Sequence, residues 1–240
     1  MIKSITHNVV DSFLELIAPK HCCFCADKLY DNTDRINGYC HSCLEHLPEA
    51  PLSDLVHERL LHSISSDDIA INEIIGLTIY NHDLPIHNAI FDFKYHGISQ
   101  TAYTLGTLLG HKILEKHIMP DYIIPVPIHP AKQRERGYNQ AEEIAKGVHT
   151  IIKIPLIPFA LKRTLYTASQ TTVTSSAARW KNVADIFNIS DEKALYHDKT
   201  VLLVDDVFTT GATTNNCASL LLQHGAKRVD IAVIGITERL

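Results

Sequence analysis

Four aliphatic residues, Val201-Leu202-Leu203-Val204, run without a break into Asp205 and Asp206, and then into Val207-Phe208-Thr209-Thr210-Gly211-Ala212-Thr213-Thr214. No polar position interrupts the aliphatic run, so neither of its faces suits water. Such a run suits a parallel strand covered on both sides, which points to an α/β fold: a mostly parallel sheet with helices on both faces. The Thr/Gly turn opens Asn215 to His224, which reads as a helix whose first amides lack internal partners and favour an anion. Gly211 can take the positive φ that other residues avoid. Local amides and the hydroxyls of Thr209, Thr210 and Thr213 can then turn toward one phosphate, with Ala212 in the same turn. Asp205 and Asp206 would repel that anion, so they suit sugar hydroxyls, which donate to carboxylates, or a magnesium ion. A phosphorylated sugar satisfies both halves.

A second constraint lies near the other end of the chain. Cys22-x2-Cys25 and Cys40-x2-Cys43 stand fourteen residues apart, a spacing compatible with a zinc ribbon. Four thiolates close a tetrahedral structural site with no open position, which staples a unit too small to hold itself. Disulfides are the alternative, but nothing here points to secretion, and cytosolic thiols stay reduced. Cys23, His21 and His41 compete as ligands. Ahead of the cysteines, Ile5, Val9, Phe13, Leu16 and Ile17 recur at helical spacing over residues 4 to 17. Packing on the finger or the core suits that helix better than a membrane surface, because Lys3 is nearly alone as a cation there. Asp11 and Glu15 interrupt what a signal peptide would keep apolar, and no run of about 18 apolar residues exists to span a bilayer. The expectation is a cytoplasmic protein without a transmembrane segment.

The net charge of −5 argues against nonspecific nucleic-acid binding by the chain as a whole. Its distribution does not. Pro127 to Lys181 holds nine Lys/Arg against three acids, a net of +6, leaving −11 for the remainder. Anion binding is therefore concentrated in the middle, where a sugar diphosphate or a single strand of DNA would meet it.

The remaining segments fall into an α/β order. Ile74 to Tyr80 reads as a strand, Leu84 to Tyr95 as a helix ending at Gly97, and Thr101 to His117 as a second helix with Leu105, Leu108, Leu109, Ile113 and Leu114 on one face. Asp121 to Pro127 reads as a strand stopped by its prolines. The loop Ile128 to Tyr138 leads into a helix capped by Asn139, with Glu142 completing a capping box. Ile154 to Ile157 reads as a short strand, Leu161 to Asn182 as a long loop, and Arg228 to Gly235 as the last strand. Cys217 reads as a small buried residue. The domain reading is 1–50 for the N-terminal helix and finger, 51–72 for a polar irregular linker, and 73–240 for the main domain.

The hydrophobic run, two acids and Thr-Thr-Gly-x-Thr resemble the signature with which type I phosphoribosyltransferases bind phosphoribosyl pyrophosphate (PRPP). Three further segments sharpen this to a resemblance, over nearly the whole chain, to the ComF family of competence-associated, phosphoribosyltransferase-like proteins. They are the cysteines, Pro125-Val126-Pro127-Ile128-His129-Pro130 followed by Arg134-x-Arg136-Gly137-Tyr138-Asn139-Gln140, and the Arg163 to Phe187 segment. The resemblance implies a type I phosphoribosyltransferase fold plus a small zinc-ribbon-like module, with structural zinc and with magnesium accompanying PRPP. It places Arg134, Arg136 and Gly137 at the pyrophosphate, where leaving phosphates need cations as charge builds. It also makes residues 161–182 a hood that closes over PRPP, with Arg163, Thr167, Gln170, Arg179 and Asn182 at its polar positions.

Phe91 to Gly97 resembles the family's lysine-tyrosine element, from which Lys94 can reach a diphosphate; a solvated lysine at a helix C-terminus is the other reading. The implied role is in natural transformation, with single-stranded DNA and DNA-uptake or recombination proteins as partners. Three hypotheses follow. The first is a PRPP-binding transformation protein. The second is an active phosphoribosyltransferase in which Asp205 or Asp206 stabilises positive charge developing on the ribose. The third is a DNA-binding module with a vestigial PRPP site.

Overall fold

The computed structural model describes residues 21–22, 24–29, 35–36, 39–164, 186–189 and 196–238. The expected helix over residues 4–17, Cys23, and the hood positions Thr167, Gln170, Arg179 and Asn182 lie outside them. The described elements run β1 (Arg35–Ile36), β2 (Tyr39–Cys40), α1 (His41–Glu45), α2 (Ser53–Leu61), β3 (Ile74–Tyr80), α3 (Ile86–Tyr95), α4 (Ser99–Glu115) and β4 (Tyr122–Pro125). They continue with α5 (Pro130–Arg136), α6 (Gln140–Ile152), β5 (Leu161–Arg163), β6 (Phe187–Ile189), β7 (Thr200–Phe208), α7 (Ala212–Gln223) and β8 (Arg228–Thr237).

Strands β3, β8, β7 and β4 form a parallel sheet in that order, with β7 and β8 in its centre. Alternation along the central strands feeds two separate cores, as the unbroken aliphatics require. Leu202, Val204, Ala232 and Ile234 join α3, α4 and α6 in one core; Val201, Leu203, Ile231 and Val233 join α2 and α7 in the other. In the first core α4 and α6 touch backbone to backbone. A Cβ on Gly106 would stand 2.1 Å from the Ile144 carbonyl oxygen, and one on Gly147 would stand 2.1 Å from that of Tyr103.

Several sequence expectations change, among them the start of the expected long loop, where Leu161–Arg163 forms β5. Residues 51–72, expected to be irregular, contain α2, whose Val56 and Leu60 are buried in the second core. The loop after β4 winds into α5: Pro130 occupies its first turn, the His129 ring accepts from the Ala131 amide at 3.1 Å, and Gly137 closes it at φ 83°. The strand expected at Ile154–Ile157 is reduced to one parallel bridge, Ile123 to Leu156. Pro155 lacks the N–H that would extend the ladder. Asn139 does cap α6, accepting from the Ala141 amide at 3.1 Å, but Glu142 pairs with Lys146 at 3.2 Å and leaves no capping box.

The cysteine module packs into the first core rather than standing clear of it. Phe24 and Tyr39 are buried there, their ring centroids 4.5 Å apart, and the Tyr39 hydroxyl donates to the Thr101 carbonyl of α4 at 3.3 Å. Among the described residues no helix is long and apolar enough to cross a membrane.

Candidate phosphoribosyl site and metal centre

Strand β7 runs through both acids to Phe208, so the alternation that sorts its aliphatics also sorts its carboxylates. Asp206 shares the side of Leu202 and Val204 and meets α3, where Lys94 Nζ lies 2.8 Å from its Oδ2. Asp205 shares the side of Val201 and Leu203 and lies in the electrostatic field of Arg163 on β5. Burial, then repulsion from Asp206, pushes the Asp205 carboxyl up to about 7, although the Asp206 amide donates to its Oδ1 at 2.8 Å and Lys94 and Arg163 favour its charge. Burial works against the Lys94 ammonium too, but Asp206 more than offsets it and holds the pKa above the ordinary lysine range.

Immediately past the acids, Asp205 and the segment Val207 to Thr214 line a small polar pocket of about 50 Å³. Gly211 makes its turn with φ 74°, and α7 begins at Ala212. The Thr210 hydroxyl accepts from the Ala212 amide at 3.4 Å, and the Thr214 hydroxyl donates to the Gly211 carbonyl at 3.0 Å. Helix α2 supports this turn from below. A Cβ on Gly211 would stand 2.6 Å from the Phe208 ring and 2.9 Å from Leu60. Asn215 ties the turn to the chain ahead of β3, donating to the Asp68 carbonyl and accepting from the Ala70 amide, each at 2.8 Å. Gly211→Ala is therefore expected to cost about 2–4 kcal/mol, from the left-handed backbone and the overpacking together. Chemical denaturation checks this, and a midpoint unchanged from wild type would contradict the geometry.

The arginine loop reaches the same end of the sheet. The Tyr138 hydroxyl donates to the Phe93 carbonyl and ties the end of α5 to α3. Arg136 lies with its guanidinium carbon 5.6 Å from the Tyr95 ring centre and donates to Gln140 Oε1 at 3.1 Å. Lys132, one turn earlier, is a residue that the motif reading missed. Burial, then the charges of Arg136 and Arg163, holds its ammonium below the ordinary lysine range, and Lys94 adds to that repulsion. Lys94, Lys132, Arg136 and Arg163 thus share one positive field beside the two acids. Arg134 is exposed in the last turn of α5, and Gly137 serves as the helix stop. Arg163 also packs over the Phe187 ring, 5.6 Å from its centre. Arg179 lies outside the described residues.

At the N-terminal module the sulfurs of Cys22, Cys25, Cys40 and Cys43 all lie within 4.8 Å of one another, close enough to share one metal ion such as zinc. The Phe24 and Cys40 amides each donate to Cys22 Sγ at 3.4 Å, and the Cys43 amide donates to Cys40 Sγ at 3.4 Å. Such N–H···S bonds favour thiolates, and the donor set fits a tetrahedral ion. The rival ligand His41 is turned to Glu45 at 3.2 Å, and the cluster does not include His21.

Residues 136–235 match the phosphoribosyl transferase domain family. Fold and site together define a phosphoribosyltransferase-type domain carrying a four-cysteine module. Competence protein F of Haemophilus influenzae is 33% identical over 204 residues, covering 81% of this chain and 89% of its own. The DNA utilization protein YhgH of Escherichia coli is 28% identical over 160 residues, covering 65% of this chain and 69% of its own. A solved purine phosphoribosyltransferase from Pyrococcus horikoshii aligns at 22% identity with a TM-score of 0.32, over 53% of this chain and 67% of its own. The chain belongs to the ComF family, that of competence protein F.

Proposed function

We propose that this chain binds PRPP with magnesium and acts in natural transformation, in the uptake or cytoplasmic handling of single-stranded DNA. The observation that carries the reading is the division of Asp205 and Asp206 between opposite faces of β7, Asp206 paired with Lys94 and Asp205 in the field of Arg163, beside the Gly211 turn. In this reading the Thr209 to Thr213 turn holds the sugar phosphate, and the two carboxylates hold the ribose hydroxyls. Lys94, Lys132, Arg136 and Arg163 meet the diphosphate, with Arg134, Gly137 and Arg179 contributing from the arginine loop and the hood. Magnesium, when bound, offsets part of the diphosphate charge. Zinc on the four cysteines is structural, because a closed set of thiolates leaves no position for a substrate. In this reading residues 1–50 are the N-terminal helix and finger and 73–240 the phosphoribosyl domain, while 51–72 adds α2 to that domain's second core rather than serving only as a link.

Calorimetric titration with PRPP tests the reading. Binding that requires magnesium is expected. Lys94→Ala should weaken it roughly 10- to 100-fold, the effect of losing one hydrogen bond to a charged group. A wild-type protein that takes up no PRPP would overturn the proposal. Pyrophosphate released above background in the presence of a panel of bases would instead make the chain an active phosphoribosyltransferase.

A further inference from the structure

Helix α3 has two apolar faces and only one core to bury them in. Ile86, Ala89, Ile90 and Phe93 are packed against the sheet. On another face His87, Phe91 and Tyr95 recur at intervals of four residues, and Phe91 and Tyr95 are 41% and 63% exposed. These rings belong to one continuous ridge. Ring centres are 4.7 Å apart for His82 and His87, 6.1 Å for His87 and Phe91, 4.7 Å for Phe91 and Tyr95, and 5.2 Å for Phe91 and His96. Its Tyr95 end lies under the guanidinium of Arg136, and so adjoins the positive field of Lys94, Lys132 and Arg163. Acids lie close by as well: Asp206 pairs with Lys94 at 2.8 Å, Glu135 acts on Lys132, Asp92 bonds the His96 ring at 2.9 Å, and Asp83 precedes α3 at the end away from Tyr95, so the cations that reach the ridge are Arg136, over the Tyr95 ring, and Lys132 beside it.

We infer that this ridge is a stacking platform for single-stranded DNA, whose bases lie against Phe91 and Tyr95 while its phosphates run toward Arg136 and Lys132. The inference rests on the proposed role in DNA handling and supplies a surface for it. Two observations favour a nucleic acid over a protein partner. The ridge is built of flat rings, which offer a face to any base regardless of sequence. Cations gather at one end of it, where a polyanion must pass.

Fluorescence anisotropy with a labelled oligothymidylate tests the surface on the full-length, zinc-loaded chain. Phe91→Ala and Tyr95→Ala should each weaken binding roughly 5- to 100-fold. The salt dependence should stay unchanged in both, because no charge is removed, whereas Arg136→Ala should make it shallower. Phe91→Trp should restore binding and Phe91→Leu should not. PRPP titration of the Phe91 variants monitors the fold and tests the ligand site separately. If wild type binds the oligonucleotide and both alanine variants bind it equally well, the ridge is not the platform, while the role in DNA handling stands. Full affinity in Phe91→Leu would likewise overturn stacking, as would ridge variants that lose only self-association in sedimentation. A wild type that takes up PRPP but no oligonucleotide would end the inference and leave the PRPP reading intact.

Discussion

Replacing Cys40 with serine is expected to release the metal and to lower the melting temperature of the whole chain, not only of its N-terminal module. Four sulfurs within 4.8 Å of one another repel as thiolates unless a cation sits among them, so the ion supplies most of what holds the module together. Structural zinc sites contribute on the order of 10 kcal/mol to the folding of their modules. The module is also coupled mechanically to the main core. Phe24 and Tyr39 share the first core with α3 and α4, so loosening the cysteine loops exposes apolar surface on both sides. Losing one large aromatic from such a core costs about 3–5 kcal/mol, enough to shift the melting temperature by roughly 10 °C. Metal analysis showing about one zinc per chain in wild type and much less in Cys40→Ser, with a matching drop in calorimetric melting, is the expected pair of results. A metal-free wild type with the same melting temperature would refute both steps.

The double replacement Asp205→Ala with Asp206→Ala should abolish PRPP binding and transformation together, since it removes every carboxylate that faces the sugar in the proposed complex. The single change Asp205→Asn separates binding from stability. The folded state raises this carboxyl from 3.8 to about 7, so protonation favours folding. Its contribution is fully present below about pH 4, is lost as the pH rises toward 7, and is absent above that. Asn carries no such dependence. At pH 8, Asp205→Asn is therefore expected to be more stable than the ligand-free wild type, by roughly 1–4 kcal/mol. Ligand affinity should run the other way in wild type and strengthen by about tenfold between pH 6 and 8, because sugar hydroxyls and magnesium both favour the ionised carboxylate. Denaturation and titration over that pH range read the two effects independently. Wild type and Asp205→Asn with parallel stability profiles would show that Asp205 carries no buried charge.

Much of this arrangement was legible without coordinates. The aliphatic run demanded cover on both faces, and β7 is indeed a central strand between two cores. Gly211 adopts the positive φ that its place in the turn calls for, and the four cysteines of the two C-x2-C spacings are those that cluster. Helix α5 is also open to reading, since Pro130 and Gly137 are ordinary start and stop signals, but the prolines that end β4 and the resemblance to a pyrophosphate-binding loop point to a loop there. Helix α2 was harder. Leu52, Leu55 and Leu61 are exposed while Val56 and Leu60 are buried, so local periodicity is blurred. Leu60 takes its place from the second core and from the Gly211 turn, far along the chain.

The same distinction applies to the acids with which the site begins. Adjacent positions on a strand must point to opposite faces, so the sequence by itself determined that Asp205 and Asp206 diverge. Which cations they would face depended on contacts between segments far apart in the chain. Lys94 reaches Asp206 because α3 packs on one side of the sheet, and the charge of Arg163 acts on Asp205 because β5 lies on the other. Likewise, spacing of four residues showed that His87, Phe91 and Tyr95 align, but burial of the neighbouring stripe left that line of rings facing water. Backbone geometry repeats locally and can be read from short stretches, whereas charge pairing and exposure depend on the packing of distant elements, which only the tertiary structure decides.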